Sequence, residues 1–276
     1  MTTEAQPVLL GAVAYDPKVV TIWDGFRRWL QDQGLPFDFL LYSNYERQVE
    51  DLVAGHLDVA WNSPLAWIRT RRLASDAQAL LMRDTDRDLT SVIVVLHDSP
   101  ITDVEDLAGR VVATGAIDSP QATLLPGALL PADKVTLRRF EIGVGLHGDH
   151  IGGERAAAQA LMAGEVDAAC MLDGNHLLFT TEGTLPPGGT RVVARTPAFD
   201  HCNMSAVTTS AGLERFVSLL LAMDYGDATV RRLLDLEGLT RWLPGRTSGY
   251  GPLEAAVDTF GFYDAKGQVT ADGYRP

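Results

Sequence analysis

An α/β fold of two similar lobes follows from one phrase that the chain contains twice. Leu52-Val53-Ala54-Gly55-His56-Leu57-Asp58-Val59-Ala60 returns 109 residues later as Leu161-Met162-Ala163-Gly164-Glu165-Val166-Asp167-Ala168-Ala169, with five of nine positions identical. In each copy apolar residues recur at i, i+3 and i+4 (Val49, Leu52, Val53; Ala158, Leu161, Met162), the stripe of an amphipathic helix. Gly55 and Gly164 supply the left-handed residue on which helices end. The runs Leu57 to Trp61 and Val166 to Met171 are short and mostly apolar, as buried parallel strands are. Two such units about a hundred residues apart predict two lobes, each a mixed sheet flanked by helices.

The remaining elements alternate in the same way. Pro7 to Val13 reads as a strand. Val19, Trp23, Phe26 and Leu30 mark a helix that Gly34 can end. Phe37 to Tyr42 is the second strand, and Ser43 with Glu46 forms a capping box before the first repeat helix. Ser63-Pro64 opens the next helix, with proline at its first turn. Ser91 to Leu96, rich in β-branched residues, crosses into the second lobe. Arg110 to Thr114 is a strand there, and Gly115 to Pro120 turns into a helix running to about Leu130. After the second repeat unit, Arg191 to Arg195 is the return strand and Pro197 to Val207 leads back to the first lobe. Helices near Gly212 to Met223, Ala228 to Leu236 and Leu253 to Thr259 finish the chain. The expected division is 1–90 for the N-terminal part of lobe one, 91–190 for an inserted lobe two, and 191–276 for the hinge return and C-terminal helices on lobe one.

Composition excludes several classes of function. The net charge of -13 argues against nucleic acid or anionic membrane as partner. No run approaches the length of a membrane-spanning helix. Two cysteines make no disulfide framework. The opening Met1-Thr2-Thr3-Glu4 shows neither basic n-region nor apolar leader, so the expectation is a cytoplasmic protein. That location counts against an ABC-transporter partner.

The order Gly55-x-x-Asp58-x-Ala60-Trp61-Asn62-Ser63-Pro64, then Asp106-Leu107-Ala108-Gly109-Arg110-Val111-Val112-Ala113, then Ala160 to Ala168, resembles the type II periplasmic-binding-protein fold. Within it the chain is similar to the phosphonate, phosphite and phosphate receptors of ABC transporters, over roughly Val8 to Phe262. The resemblance implies a small polar or oxyanion ligand held in a cleft between lobes that close on it. It also implies that hydroxyls and backbone amides at helix N-termini hold the anion. The matching positions are Tyr15 and Asp16 after the first strand and Asn62 and Ser63 after the third. Asp118 and Ser119, opening the lobe-two helix, join them. No lysine or arginine lies in these loops. Asp173 and Asn175, beyond the second repeat strand, and Asn203 in the returning segment are further candidate ligand contacts.

Histidines give a second signal. His147, His150, His176 and His201 fall within 55 residues, among Asp149, Glu154, Asp173, Asp200 and Cys202. His147, His150, Glu154 and His176 could ligate Fe(II) or Zn(II). The four histidines and Cys202 are also the candidate catalytic groups of an alternative, a cytosolic enzyme using acid-base or metal-assisted chemistry on a small metabolite. The segment from His147 to Glu154 could equally be a tight loop whose polar residues cap the next helix. If residues 200–204 are extended, His201 and Cys202 point to opposite faces and make a poor base and nucleophile pair. Cys170 reads as an inert core thiol, and Arg69, Arg71 and Arg72 as a solvated helix face.

Overall fold

The computed structural model describes residues 6–131 and 134–276, so Met1 to Glu4, on which the leader reading rests, lie outside the described residues. The chain begins with β1 (Val8–Val13), α1 (Lys18–Asp32), β2 (Phe37–Tyr42), α2 (Tyr45–Val53), β3 (Val59–Asn62), α3 (Pro64–Leu73) and β4 (Gln78–Arg83). It continues with β5 (Ser91–Leu96), β6 (Val111–Thr114), α4 (Leu125–Gly127), β7 (Thr136–Arg139), α5 (Gly152–Met162), β8 (Ala168–Leu172), α6 (Asp173–Thr181) and β9 (Thr190–Arg195). The last elements are β10 (Asn203–Ala206), α7 (Ala211–Leu221), α8 (Ala228–Glu237), β11 (Trp242–Pro244) and α9 (Gly251–Phe260).

Two compact units result: residues 1–87, 200–249 and 265–268 in the first, 88–199, 250–264 and 269–276 in the second. The first sheet has the order β11-β4-β10-β3-β1-β2 and the second β7-β6-β8-β5-β9. In the first, β1 runs parallel to β2 and β3, while β10 is antiparallel to β3 and β4. In the second, β6 runs parallel to β7 and β8, while β5 is antiparallel to β8 and β9. Five strands of each sheet therefore follow one pattern, as the repeated phrase predicts. The core of the first unit packs Trp23, Phe26, Phe37, Phe216 and Trp242 on its sheet. The second builds around Val92, Val94, Ala157, Leu161 and Phe179.

The repeat has one physical purpose in both units. Gly55 and Gly164 adopt φ of 75° and 69°. Their N–H groups bond Leu52 O and Leu161 O, and the next residues, His56 and Glu165, bond Asp51 O and Ala160 O. That is a Schellman ending, which reverses the chain on a left-handed residue. The aspartate three residues past each glycine then clips the chain to the strand beside it. Asp58 N–H donates to Leu9 O while Leu9 N–H donates to Asp58 Oδ2 at 2.8 Å. Asp167 N–H donates to Val111 O while Val111 N–H donates to Asp167 Oδ2 at 2.8 Å. Each clip seeds the β1/β3 or β6/β8 pairing.

Several expectations change in detail. The cap of α2 is Asn44, whose side chain accepts from Arg47 N at 3.0 Å, and not Ser43; Asn44 is the residue with extended backbone. Glu46 instead pairs with a buried Arg69 at 2.7 Å, so Arg69 is no part of a solvated face. The helix expected to reach Leu130 is a wide turn over Pro120–Leu124 followed by the short α4. Pro126 has no N–H for the carbonyl of Ala122, and Gly115 N–H bonds that carbonyl. β9 and α9 belong to the second unit, where the sequence division had put residues after 190 with lobe one. β9 joins by pairing with β5, and α9 by packing, its Phe260 ring lying 3.0 Å from where a Gly127 Cβ would be.

Asp58→Ala and Asp167→Ala each leave a strand N–H without its acceptor. Each should lower unfolding stability by about 1–2 kcal/mol, read from urea denaturation. A neutral result in both would remove the clip from the account.

Candidate functional site

In each sheet the chain order reverses at one place. β1 is followed by β2 on one side and flanked by β3 on the other, and β6 stands in the same way between β7 and β8. Ligands of open α/β sheets bind beyond the carboxyl ends of strands at such a switch point. The loops there are Ala14 to Pro17 and Asn62 to Pro64 in the first unit, and Gly115 to Ser119 and the start of α6 in the second.

In the first unit, Tyr15 is half-buried and Asp16 exposed. Asp16 Oδ1 accepts from Lys18 N at 2.8 Å, fixing the start of α1. Lys18, the residue after this loop, places its Nζ 5.5 Å from the Tyr15 ring centroid, so a cation stands beside it. Asn62 is fully buried. Its Oδ1 accepts from Gln48 Nε2 at 2.9 Å and its Nδ2 donates to Thr70 Oγ1 at 3.2 Å. Asn62 is thus a brace for the strand end. Asn203 stands opposite it in register and accepts from Ser205 Oγ at 2.5 Å. Ser63 caps α3 by accepting from Ala66 N at 3.0 Å. Trp61 packs edge-on against Trp242 with Arg83 over its face.

In the second unit, Ser119 accepts from Ala122 N at 3.2 Å, the same Ser-Pro cap as Ser63-Pro64. Asp118 is fully buried. One of its oxygens accepts from Gly145 N at 2.7 Å and His147 N at 3.0 Å, while Oδ1 has no partner. Gly145 and His147 both have positive φ, which turns their N–H groups toward one anion, as in a nest. Burial raises the Asp118 pKa, against the opposing pull of His147 and the backbone N–H groups. Glu154 is raised by burial too, although it accepts from Leu172 N and Asn175 Nδ2, both at 2.8 Å. Gln121 joins these groups, donating to Gly148 O at 2.6 Å and to Glu154 Oε1 at 3.3 Å. A Cβ on Gly148 would lie 2.5 Å from Gln121 Nε2 and 2.7 Å from Ser119 Oγ. Only glycine fits there.

The four histidines take different partners. His147 is buried, with Nε2 3.2 Å from Tyr274 Oη. His150 is exposed and its Nδ1 accepts from Gly152 N at 3.1 Å, a cap for α5. His176 lines a surface pocket of about 450 Å³ with Asp173 and Thr190. Its Nε2 lies 2.9 Å from Thr190 Oγ1, and burial lowers its pKa. Asp173 pairs with Arg195 at 2.6 Å. His201 belongs to the first unit. The metal set expected from His147, His150, Glu154 and His176 therefore does not form. Among the described residues, the ligand atoms that gather within 4.8 Å are those of Asp86, His201 and Cys202. His201 Nδ1 is 3.1 Å from Cys202 Sγ, so the two do not alternate across a strand; β10 begins only at Asn203. Asp86 was invisible in sequence, 115 residues away. Cys170 is buried and its thiol is pushed up to about 12 by burial, the inert thiol expected.

Two α/β units of one topology, with capped loops at their switch points, define a small-ligand binding protein. Residues 12–250 match the model of a family described as ABC transporter, phosphonate, periplasmic substrate-binding protein. The chain belongs to this family. No curated protein matches it. Among solved structures it is similar to PhnD1 of Prochlorococcus marinus in complex with methylphosphonate, with 16% identity, TM-score 0.70, and 93% and 98% of the two chains covered. It is also similar to XAC2383 of Xanthomonas citri bound to ATP, with 18% identity, TM-score 0.70, and 92% and 98% covered. For the periplasmic aliphatic sulphonate binding protein SsuA of Escherichia coli the values are 16%, 0.58, and 99% and 96%. These likenesses show the two-lobed fold. The family is one of small-molecule oxyanion-binding proteins, and it lends no support to the enzyme alternative. It also overturns the expected cytoplasmic location, since its members are periplasmic. The argument against an importer partner falls with that location. Among the described residues no helix is long and apolar enough to cross a membrane.

The raised pKa of Asp118 makes a signed prediction. The folded state holds the proton more tightly than the unfolded chain, so stability is lost as pH rises from the unfolded value through the folded one. Asp118→Asn removes that loss. Its stability relative to the parent should improve between pH 4 and pH 7 in paired denaturation curves, and a difference independent of pH would contradict the assignment.

Proposed function

We propose that this chain captures a small phosphonate-type oxyanion at its switch-point loops and delivers it to an ABC importer. The observation that carries the reading is the repeated Ser-Pro cap at the carboxyl end of a sheet strand, Ser63 after β3 and Ser119 after β6. Ser119 Oγ accepts one bond from its helix and its O–H can donate to an anion, and the surrounding N–H groups favour negative charge. Tyr15 with Lys18 adds a hydroxyl and a cation in the first unit. In the second unit Asp118 and Glu154 brace the loops and set the local charge. The methylphosphonate complex of the Prochlorococcus protein supports this ligand class. His176, Asp173 and Asn175 have structural partners and are secondary candidates for contact.

Isothermal titration with methylphosphonate tests the reading. Wild type should bind, and Ser119→Ala should weaken binding by roughly tenfold or more, the loss of one hydrogen bond to a charged group. Its stability should fall only by the roughly 1 kcal/mol of a lost cap. No detectable binding by wild type, or undiminished binding by Ser119→Ala, would sink the proposal.

A further inference from the structure

The first unit contains a second polar cluster at the start of β10, whose first residue, Asn203, pairs with Asn62. Asp86, His201 and Cys202 are all buried, with relative exposures of 1%, 8% and 2%. His201 Nδ1 lies 3.1 Å from Cys202 Sγ and 3.7 Å from Asp86 Oδ1. A tetrahedral zinc ion with ordinary bond lengths holds nitrogen, sulfur and oxygen ligands roughly 3.3–3.6 Å apart. The observed spacings lie either side of that range. Backbone geometry maintains them: His201 N–H donates to Asp86 O at 2.8 Å, tying the two segments together.

We propose that Asp86, His201 and Cys202 form a binding site for a thiophilic divalent cation of the Zn(II) class. One thiolate, one imidazole and one carboxylate are the donors such an ion takes, with a fourth position left for water or ligand. Arg83 does not disqualify Asp86. It grips the carboxylate fork-on, Nε to Oδ2 at 2.6 Å and Nη2 to Oδ1 at 2.9 Å. That grip leaves each oxygen another lone pair, and ligating carboxylates are commonly held by such outer hydrogen bonds. Arg83 also reaches Glu237 O at 2.9 Å and Glu237 Oε1 at 3.4 Å. The formal charges of Asp86, Glu237 and Arg83 leave an excess of one negative beside the cluster. The neighbouring Asp200 is neutralised separately by Arg246, at 2.7 and 2.5 Å. The ion would fix the turn that leads into Asn203, opposite Asn62.

The test is titration of the full, untagged, chelator-stripped chain with Co(II), followed by absorption. A thiolate-to-cobalt charge-transfer band in the near ultraviolet, saturating at one equivalent, is expected. Visible bands of tetrahedral cobalt should accompany it. Cys170→Ser should retain the spectrum, Cys202→Ser should lose the charge-transfer band, and His201→Gln should need more Co(II) to reach half-saturation. Because the readout is the metal spectrum of the wild type, it stands whether or not methylphosphonate binds. Absence of the band in wild type, or its persistence in Cys202→Ser, would overturn the site.

Discussion

A single hydrogen-bonded clip, made twice, orders this molecule. Asp58 and Asp167 each follow a left-handed glycine and each exchange two bonds with the first residues of a neighbouring strand. Helix ending, chain reversal and strand register are thereby decided within a few residues. Without the clip, the strands beside β1 and β6 could slip, and a slip of one residue would turn every side chain to the other face. With it, Asn62 and Leu172 stand at the strand ends where the functional loops begin.

The loops themselves illustrate how buried polar groups are made tolerable. Asn62 satisfies both ends of its amide through Gln48 and Thr70. Asp118 is satisfied on one oxygen only. An unmade bond at a buried oxygen costs about 1–3 kcal/mol. Arg83 shows the opposite solution, a buried cation wrapped by Asp86 and Glu237. Burial works against its charged form, but Asp86, Glu237 and Cys202 outweigh it and raise its pKa.

Much of the fold was legible because its signals are local. A glycine followed three residues later by aspartate marks the reversal in both units, while Ser-Pro opens a regular helix in the first unit and a wide turn in the second. Family membership followed from those motifs in order. The misreadings came where a local signal was ambiguous or the deciding contact was distant. Ser43 and Asn44 are both competent caps, and the φ of the backbone chose Asn44. The helix expected to run to about Leu130 breaks where Pro126 has no N–H to offer. Arg69 resembled a surface residue until Glu46, Glu50 and Gly267 O closed around it. His147, His150 and His176 are close in sequence yet take different partners, whereas Asp86 and His201 are far apart in sequence and adjacent in space. The reading of cellular location failed for another reason. It rested on the first residues alone, which carry no information about the fold or its family.

Amide hydrogen exchange with and without methylphosphonate tests the central claim most directly, that duplicated clips present capped loops to an oxyanion. Added ligand should slow exchange in the turn from Ser63 to Ala66 and in the turn from Ser119 to Ala122, while the clipped strand residues Leu9 and Val111, already protected, stay unchanged. Protection elsewhere, with both Ser-Pro turns unaffected, would contradict the account.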